Sequence, residues 1–228
     1  HSLTQFIPAK DRSFGDVWDI VLYNKDIFFR STSKIFKFTN QTVAVFAAPS
    51  EWSYLNVCNN ILFAHDYKTG LMRFENGVWT PLFINNDLPV NEPITGILNI
   101  TKDSLLITTL KRGLYILSKT GISKQQNPNN LLFENERIYA ATTVNNEWIA
   151  LATNNSGLYI TDLKGNIIQS FSRTEGLQNN NVLSVFLDNQ NNLWLGLDNG
   201  IDLITYNSSI KQLNPFLQNG SGYTAIIF

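Results

Sequence analysis

The sequence predicts an all-β chain folded as a β-propeller, about five four-stranded blades with an orphan strand at each terminus. Three observations carry this. Gly70, Gly113, Gly157 and Gly200 recur at spacings of 43, 44 and 43 residues, each just before an apolar run. The apolar runs are short, rich in Val, Ile, Leu, Phe, Trp and Tyr, and bounded by Asn, Asp, Gly and Ser, the pattern of short strands joined by tight turns. No stretch carries a 3.6-residue apolar stripe, so essentially no helix is expected, and a helical solenoid of similar period is excluded.

The elements follow in order. Residues 2–8, Ser2-Leu3-Thr4-Gln5-Phe6-Ile7-Pro8, match Ser209-Ile210-Lys211-Gln212-Leu213-Asn214-Pro215, so the chain is expected to open on an orphan outer strand. The first blade, about residues 17–52, holds a glycine-free copy: Asp26-Ile27-Phe28-Phe29, a turn from Ser31 to Lys34, then Ile35-Phe36-Lys37-Phe38. In the second, about 53–93, Ile61-Leu62-Phe63-Ala64 leads through Gly70 to Leu71-Met72-Arg73-Phe74. In the third, about 94–137, Leu105-Leu106-Ile107-Thr108 leads through Gly113 to Leu114-Tyr115-Ile116-Leu117. In the fourth, about 138–181, Trp148-Ile149-Ala150-Leu151 leads through Gly157 to Leu158-Tyr159-Ile160. The fifth, about 182–215, is the clearest: Val182-Leu183-Ser184-Val185-Phe186-Leu187, Leu193-Trp194-Leu195-Gly196-Leu197, a run from Ile201 to Tyr206, and a closing strand Ile210-Lys211-Gln212-Leu213.

The last six residues, Tyr223-Thr224-Ala225-Ile226-Ile227-Phe228, align with the first strand of a unit and form the second orphan. The preferred reading is a fragment of a longer propeller, in keeping with a start at His1 rather than Met. The alternative is a five-blade closure with the orphan strands at the seam or paired with another chain. A free apolar edge invites strand addition, so a homo-oligomer through edge strands is an expectation.

Composition narrows the function. Lys and Arg together number 17 against 18 Asp and Glu, which leaves no basic excess for nucleic-acid binding or a charged membrane surface. No run of 18 apolar residues exists, so no membrane insertion by this segment is expected. The single cysteine, Cys58, excludes an intrachain disulfide and any cysteine-based zinc site. Asparagine is abundant at 29 residues, which turn positions explain, since Asn bonds nearby backbone and tolerates left-handed φ.

The unit from Val182 to Tyr206 resembles the two-component regulator propeller repeat. The resemblance is carried by Asp188-Asn189-Gln190-Asn191-Asn192-Leu193-Trp194-Leu195-Gly196-Leu197 and the Asp198-Asn199-Gly200 turn. It is specific in this copy, degenerate in the other four, and its strand pattern covers the chain. The resemblance implies a periplasmic or otherwise extracytoplasmic sensor, part of a membrane-anchored histidine kinase or hybrid regulator of Bacteroidetes-type bacteria. It also implies signal transduction by ligand binding, with glycan fragments among the ligands of such sensors.

Catalytic chemistry is sparsely represented. The histidines are His1 and His65, no Gly-x-Ser-x-Gly elbow exists, and His65 reads as a turn or rim residue. Cys58 reads as a buried, inert thiol. The run from Asp188 to Asn192 lacks the glycine and distal glutamate of a calcium loop and reads as a hairpin turn. Trp148 and Trp194 are expected between blades, and Trp18 in a first strand. No cofactor and no metal are expected. The ligand face is placed on the loops from fourth to first strands and from second to third strands, at Trp52, Asp66, Tyr67, Arg112, Asn154, Asn155, Asp198 and Asn199. Aromatic rings there would stack on sugars and amides would bond hydroxyls. The expected function is a non-catalytic sensor segment binding a carbohydrate or other small extracellular ligand. The alternatives are a protein-interaction propeller and, after it, a polysaccharide-active propeller enzyme.

Overall fold

Asn24 and Lys25, at φ 49° and 71°, close a two-residue hairpin between β1 (Asp19–Tyr23) and β2 (Asp26–Arg30). Turns of this left-handed type match the twist of the strands they join. Asn40-Gln41 makes the same turn between β3 (Lys34–Thr39) and β4 (Thr42–Ala47), completing blade 1 as the sheet β1-β2-β3-β4. Seven of the ten non-glycine residues with positive φ among the described residues are Asn, so the asparagine excess does serve turns. The computed structural model describes residues 3–82 and 87–208.

The pattern repeats. Blade 2 is β5 (Trp52–Cys58), β6 (Ile61–Asp66), β7 (Gly70–Glu75) and β8 (Val78–Pro81). Blade 3 is β9 (Ile94–Thr101), β10 (Ser104–Thr109), β11 (Leu114–Ser118) and β12 (Gly121–Lys124). Blade 4 is β13 (Ile138–Thr143), β14 (Trp148–Thr153), β15 (Leu158–Asp162) and β16 (Ile167–Phe171). Blade 5 contributes β17 (Val182–Leu187), β18 (Leu193–Leu197) and β19 (Gly200–Ile204) to the described residues. Its expected closing strand at 210–213 and the orphan strand at 223–228 lie outside them.

Register is shared as well as order. The first strands of blades 2 to 5 carry an irregularity after Trp52, Ile94, Ile138 and Val182 respectively. All four residues are at most 2% exposed. A bulge at a fixed place keeps the following side chains in phase with the neighbouring sheet, because a one-residue slip would turn them to the other face.

The core lies between blades. Phe28 and Ile35 of blade 1 pack with Trp52, Leu55, Leu62 and Ala64 of blade 2. Phe63 and Leu71 pack with Ile97, Leu105 and Ile107 of blade 3. Leu98, Leu106 and Leu114 pack with Ile138, Ile149 and Leu151 of blade 4. Ala150 and Leu158 pack with Val182, Leu193 and Leu195 of blade 5. Each fully buried Leu or Ile contributes about 1.5–3 kcal/mol, so these seams dominate stability. Two polar ties cross them. The Tyr54 hydroxyl oxygen accepts from the Ile97 N–H at 3.0 Å, and Arg30 donates to the Trp52 carbonyl at 2.8 Å while pairing with Asp19.

Four expectations are corrected. A seven-residue helix, α1 (Asn130–Glu136), sits in the loop before blade 4; its side chain Phe133 is fully buried and anchors it, a signal too short to show a helical period. The expected orphan strand at 2–8 contains a 3-10 turn, Leu3–Phe6. Phe6 there, and Phe14 beyond it, stack edge-on against Phe38 and Phe36, so the N-terminal residues cover a sheet face rather than extending along a strand edge. Trp18 precedes β1 and is 64% exposed. Trp148 does pack against the seam between blades 4 and 5, but Trp194 is 42% exposed, its indole N–H donated to Asp188 at 2.9 Å.

Candidate functional site

The loops between second and third strands meet the loops between fourth and first strands on one rim, as hydrogen bonds show directly. Lys111 N–H bonds the Glu92 carboxylate, Asn154 N–H bonds the carbonyls of Glu136 and Arg137, and Asp198 N–H bonds the Asn181 carbonyl at 3.1 Å. In blades 3 and 4 the residue ending the second strand caps the turn. Thr109 Oγ1 donates to Gly113 O at 2.9 Å and accepts from Arg112 N at 3.1 Å; Thr153 does the same with Gly157 O and Ser156 N at 2.9 and 3.1 Å. Asp66 plays this part in blade 2, accepting from Lys68 N and Thr69 N at 3.1 and 2.8 Å. An oxygen side chain at this place satisfies N–H groups that the turn leaves without strand partners.

The rim thus holds Tyr67, Arg112, Asn154, Asn155, Asp198 and Asn199 in equivalent turns of blades 2 to 5. Arg112, Asn155, Asp198 and Asn199 are exposed; Tyr67 and Asn154 are half-buried. Burial pushes the Tyr67 phenol upward, and its ring meets His65 edge-on at 6.1 Å.

Two expected site residues are not available to a ligand. Trp52 is the first residue of β5 rather than a loop residue. It is 1% exposed, its ring centroid 5.6 Å from that of Trp79 and its indole N–H turned to the Phe46 carbonyl. Asp66 is fully buried and also accepts from Ser50 N and Ser50 Oγ at 2.7 and 2.9 Å. Burial raises its pKa, but the bonds from Thr69 and Ser50 outweigh that and hold it below the ordinary carboxylate value.

His65 lies in β6, 2% exposed, and is not a rim residue. Ser53 Oγ is 2.6 Å from its Nδ1. Burial lowers the imidazole to about 4, against a smaller upward pull from Asp66, so the ring is neutral near pH 7. A Ser-His pair needs a third group to orient the base. The nearest carboxylate in sequence, Asp66, is spent on the Ser50, Lys68 and Thr69 donors. Cys58 ends β5, half-buried, its thiol pushed up by burial. Asp188 accepts from Gln190 N, Asn192 N and Trp194 Nε1 within its turn, which holds its carboxyl down at about 2.

The sequence reading missed the other half of the rim. Glu92, 7% exposed, and Glu136, which accepts from Ser156 Oγ at 2.6 Å, belong to the fourth-to-first loops. Gln178, bonded to Asp202, is another. The prolines Pro89 and Pro93 flanking Glu92 mark a rigid loop and were the available signal.

A β-propeller segment carrying a polar rim is what the geometry defines, and known structures share the fold. The chain superposes on the extracellular domain of the hybrid two-component system BT4673 from B. thetaiotaomicron at TM-score 0.67 and 22% identity, over 89% of this chain and 29% of that one. The extracellular domain of the hybrid two-component system BT3049 from the same organism gives TM-score 0.68 and 16% identity, over 88% and 30%. PorZ, a surface component of the type-IX secretion system of Porphyromonas gingivalis, gives 0.62 and 14%, over 82% and 31%. At these identities the likeness is one of fold. The chain spans less than a third of the length of each of these structures. No protein-family model and no curated protein matches it.

Proposed function

We propose that this chain is the ligand-recognising segment of an extracytoplasmic sensor of the two-component type, acting by binding and not by turnover. The observation that carries the reading is the rim: one polar turn from each of blades 2 to 5, side by side, on backbone bonded to the adjoining loops. A frame built this way presents donors and acceptors with little ordering left to do, which favours recognition of a polar ligand. An oligosaccharide is the ligand class. Arg112 supplies donors, Asn155 and Asn199 both donors and acceptors, and Asp198 acceptors for sugar hydroxyls. The likeness to extracellular domains of two-component systems supports the location. Among the described residues no helix is long and apolar enough to cross a membrane. The neutral, buried His65 and the occupied Asp66 support binding without catalysis.

The test is a thermal-shift screen with oligosaccharides. A ligand at a hundred times its Kd raises stability by about 2.7 kcal/mol. Arg112→Ala with Asn155→Ala should abolish that shift and leave the unliganded Tm unchanged, since both side chains are exposed. No shift across the screen, or cleavage of the glycan, would defeat the reading.

A further inference from the structure

The irregularity near the start of each first strand inserts one residue with no partner across the ladder: Ser53 in β5, Thr95 in β9, Tyr139 in β13 and Leu183 in β17. A bulge re-aims the side chain it inserts. The residues just before the insertions are core, whereas Tyr139 and Leu183 are 41% and 37% exposed, and Ser53 and Thr95 are half-buried. Each first strand is an edge of its sheet, and neighbouring first strands stand together. A Cβ placed on Gly96 of β9 would fall 3.2 Å from the Ala141 Cβ of β13. The inserted residues therefore line the inner side of the blades.

Register sets them beside the rim. The residue before each insertion pairs with the residue that leads into the rim turn: Trp52 with Asp66, Ile94 with Thr109, Ile138 with Thr153, and Val182 with Leu197. Each of blades 2 to 5 thus carries one rim turn and, inward of it, one bulge residue. Ser53, Thr95 and Tyr139 all bear hydroxyls. Ser53 Oγ is held 2.6 Å from His65 Nδ1, and Thr95 Oγ1 2.9 Å from Thr108 Oγ1. Tyr139 is the exposed aromatic among the rim and bulge residues, since Tyr67 is half-buried and Trp52 is core.

We propose that Tyr139 is the stacking platform of the oligosaccharide site, taking one sugar ring on its face while the Ser53 and Thr95 hydroxyls bind further units along the inner side. The proposal rests on the reading of the rim as an oligosaccharide site. Ligand sites combine aromatic walls with a few fixed polar groups. Tyrosine gives a large contact face at small ordering cost, and the two held hydroxyls need little ordering either.

The test uses the full chain and a panel of cello-, xylo-, manno- and galacto-oligosaccharides, with Kd read by calorimetry. Tyr139→Ala should weaken binding about ten-fold or more. Tyr139→Phe keeps the ring and should bind as the unaltered chain does. The bound oligosaccharide should also shield Tyr139 from nitration, read by peptide mapping. Undiminished binding in Tyr139→Ala, together with its loss in the Arg112→Ala, Asn155→Ala double variant, overturns the platform and leaves the rim reading standing. No binding to any member of the panel overturns the oligosaccharide reading and the platform with it. Where Tyr139→Ala misfolds, nitration of the unaltered chain decides: equal modification of Tyr139 with and without bound saccharide overturns the platform.

Discussion

Ser50 donates both its backbone N–H and its hydroxyl to one Asp66 carboxylate oxygen, at 2.7 and 2.9 Å. The bond pair joins the loop entering blade 2 to the turn inside blade 2, across sixteen residues of sequence. The other carboxylate oxygen caps that turn through Lys68 N and Thr69 N. A residue placed among candidate ligand contacts from its position is therefore a fastener of the rim.

Asp66→Asn replaces charge-assisted bonds with neutral ones and turns an amide N–H toward donors. The expected cost is about 2 kcal/mol by chemical denaturation. Because the folded pKa lies below the unfolded one, Asp66 stabilises fully above about pH 4, and that contribution is lost as pH falls through the folded value. The variant should lack this component of acid destabilisation; an unchanged acid limb would count against the assignment.

His65 works in the same direction but over a higher pH range. Its folded pKa of about 4 lies below the ordinary 6.5, so between these values the unfolded chain binds the proton more readily. Stability should fall as pH drops from 6.5 to 4, by up to about 3 kcal/mol. In His65→Gln this slope should flatten, read from urea midpoints across that range.

Gly157 sits at φ +80°, and a Cβ there would fall 2.0 Å from the Phe171 carbonyl oxygen. Gly157→Ala must strain the turn and displace the end of β16. A loss of about 2–3 kcal/mol in stability is expected, with faster amide exchange at Gly157, whose N–H bonds the Asn180 carbonyl.

Tyr54→Phe removes the acceptor for the buried Ile97 N–H between blades 2 and 3. Leaving that donor unsatisfied should cost about 1–3 kcal/mol. A Tm equal to that of the unaltered protein would show that the tie contributes nothing.

Phe133→Ala empties the pocket that anchors α1 and should cost about 3–5 kcal/mol. Exchange should quicken in α1, and the Glu136 bond to Ser156 should weaken with it.

Much of the fold was legible because its signals are local. Glycine before a third strand, Asn in hairpins and short apolar runs act within a few residues, so five blades could be counted. Helix α1 was not legible, since its single anchoring side chain, Phe133, gains its meaning only from Leu98, Leu106 and Ile149 around it. The rim turns were found by position alone, and Tyr67, Arg112, Asn154, Asn155, Asp198 and Asn199 do occupy equivalent places.

By itself, then, the sequence determined the repeat, its strand order and which turns share a rim, because strand pairing and turn chemistry are short-range. Only the tertiary structure decided which of those side chains a ligand can reach. Trp52 looked like an exposed loop aromatic and is core, because Phe46 and Trp79 close over it. Trp194 looked like core and is 42% exposed, its indole N–H turned to Asp188. Burial in a propeller is conferred by the adjacent blade, and a repeat does not record which of its neighbours is in place.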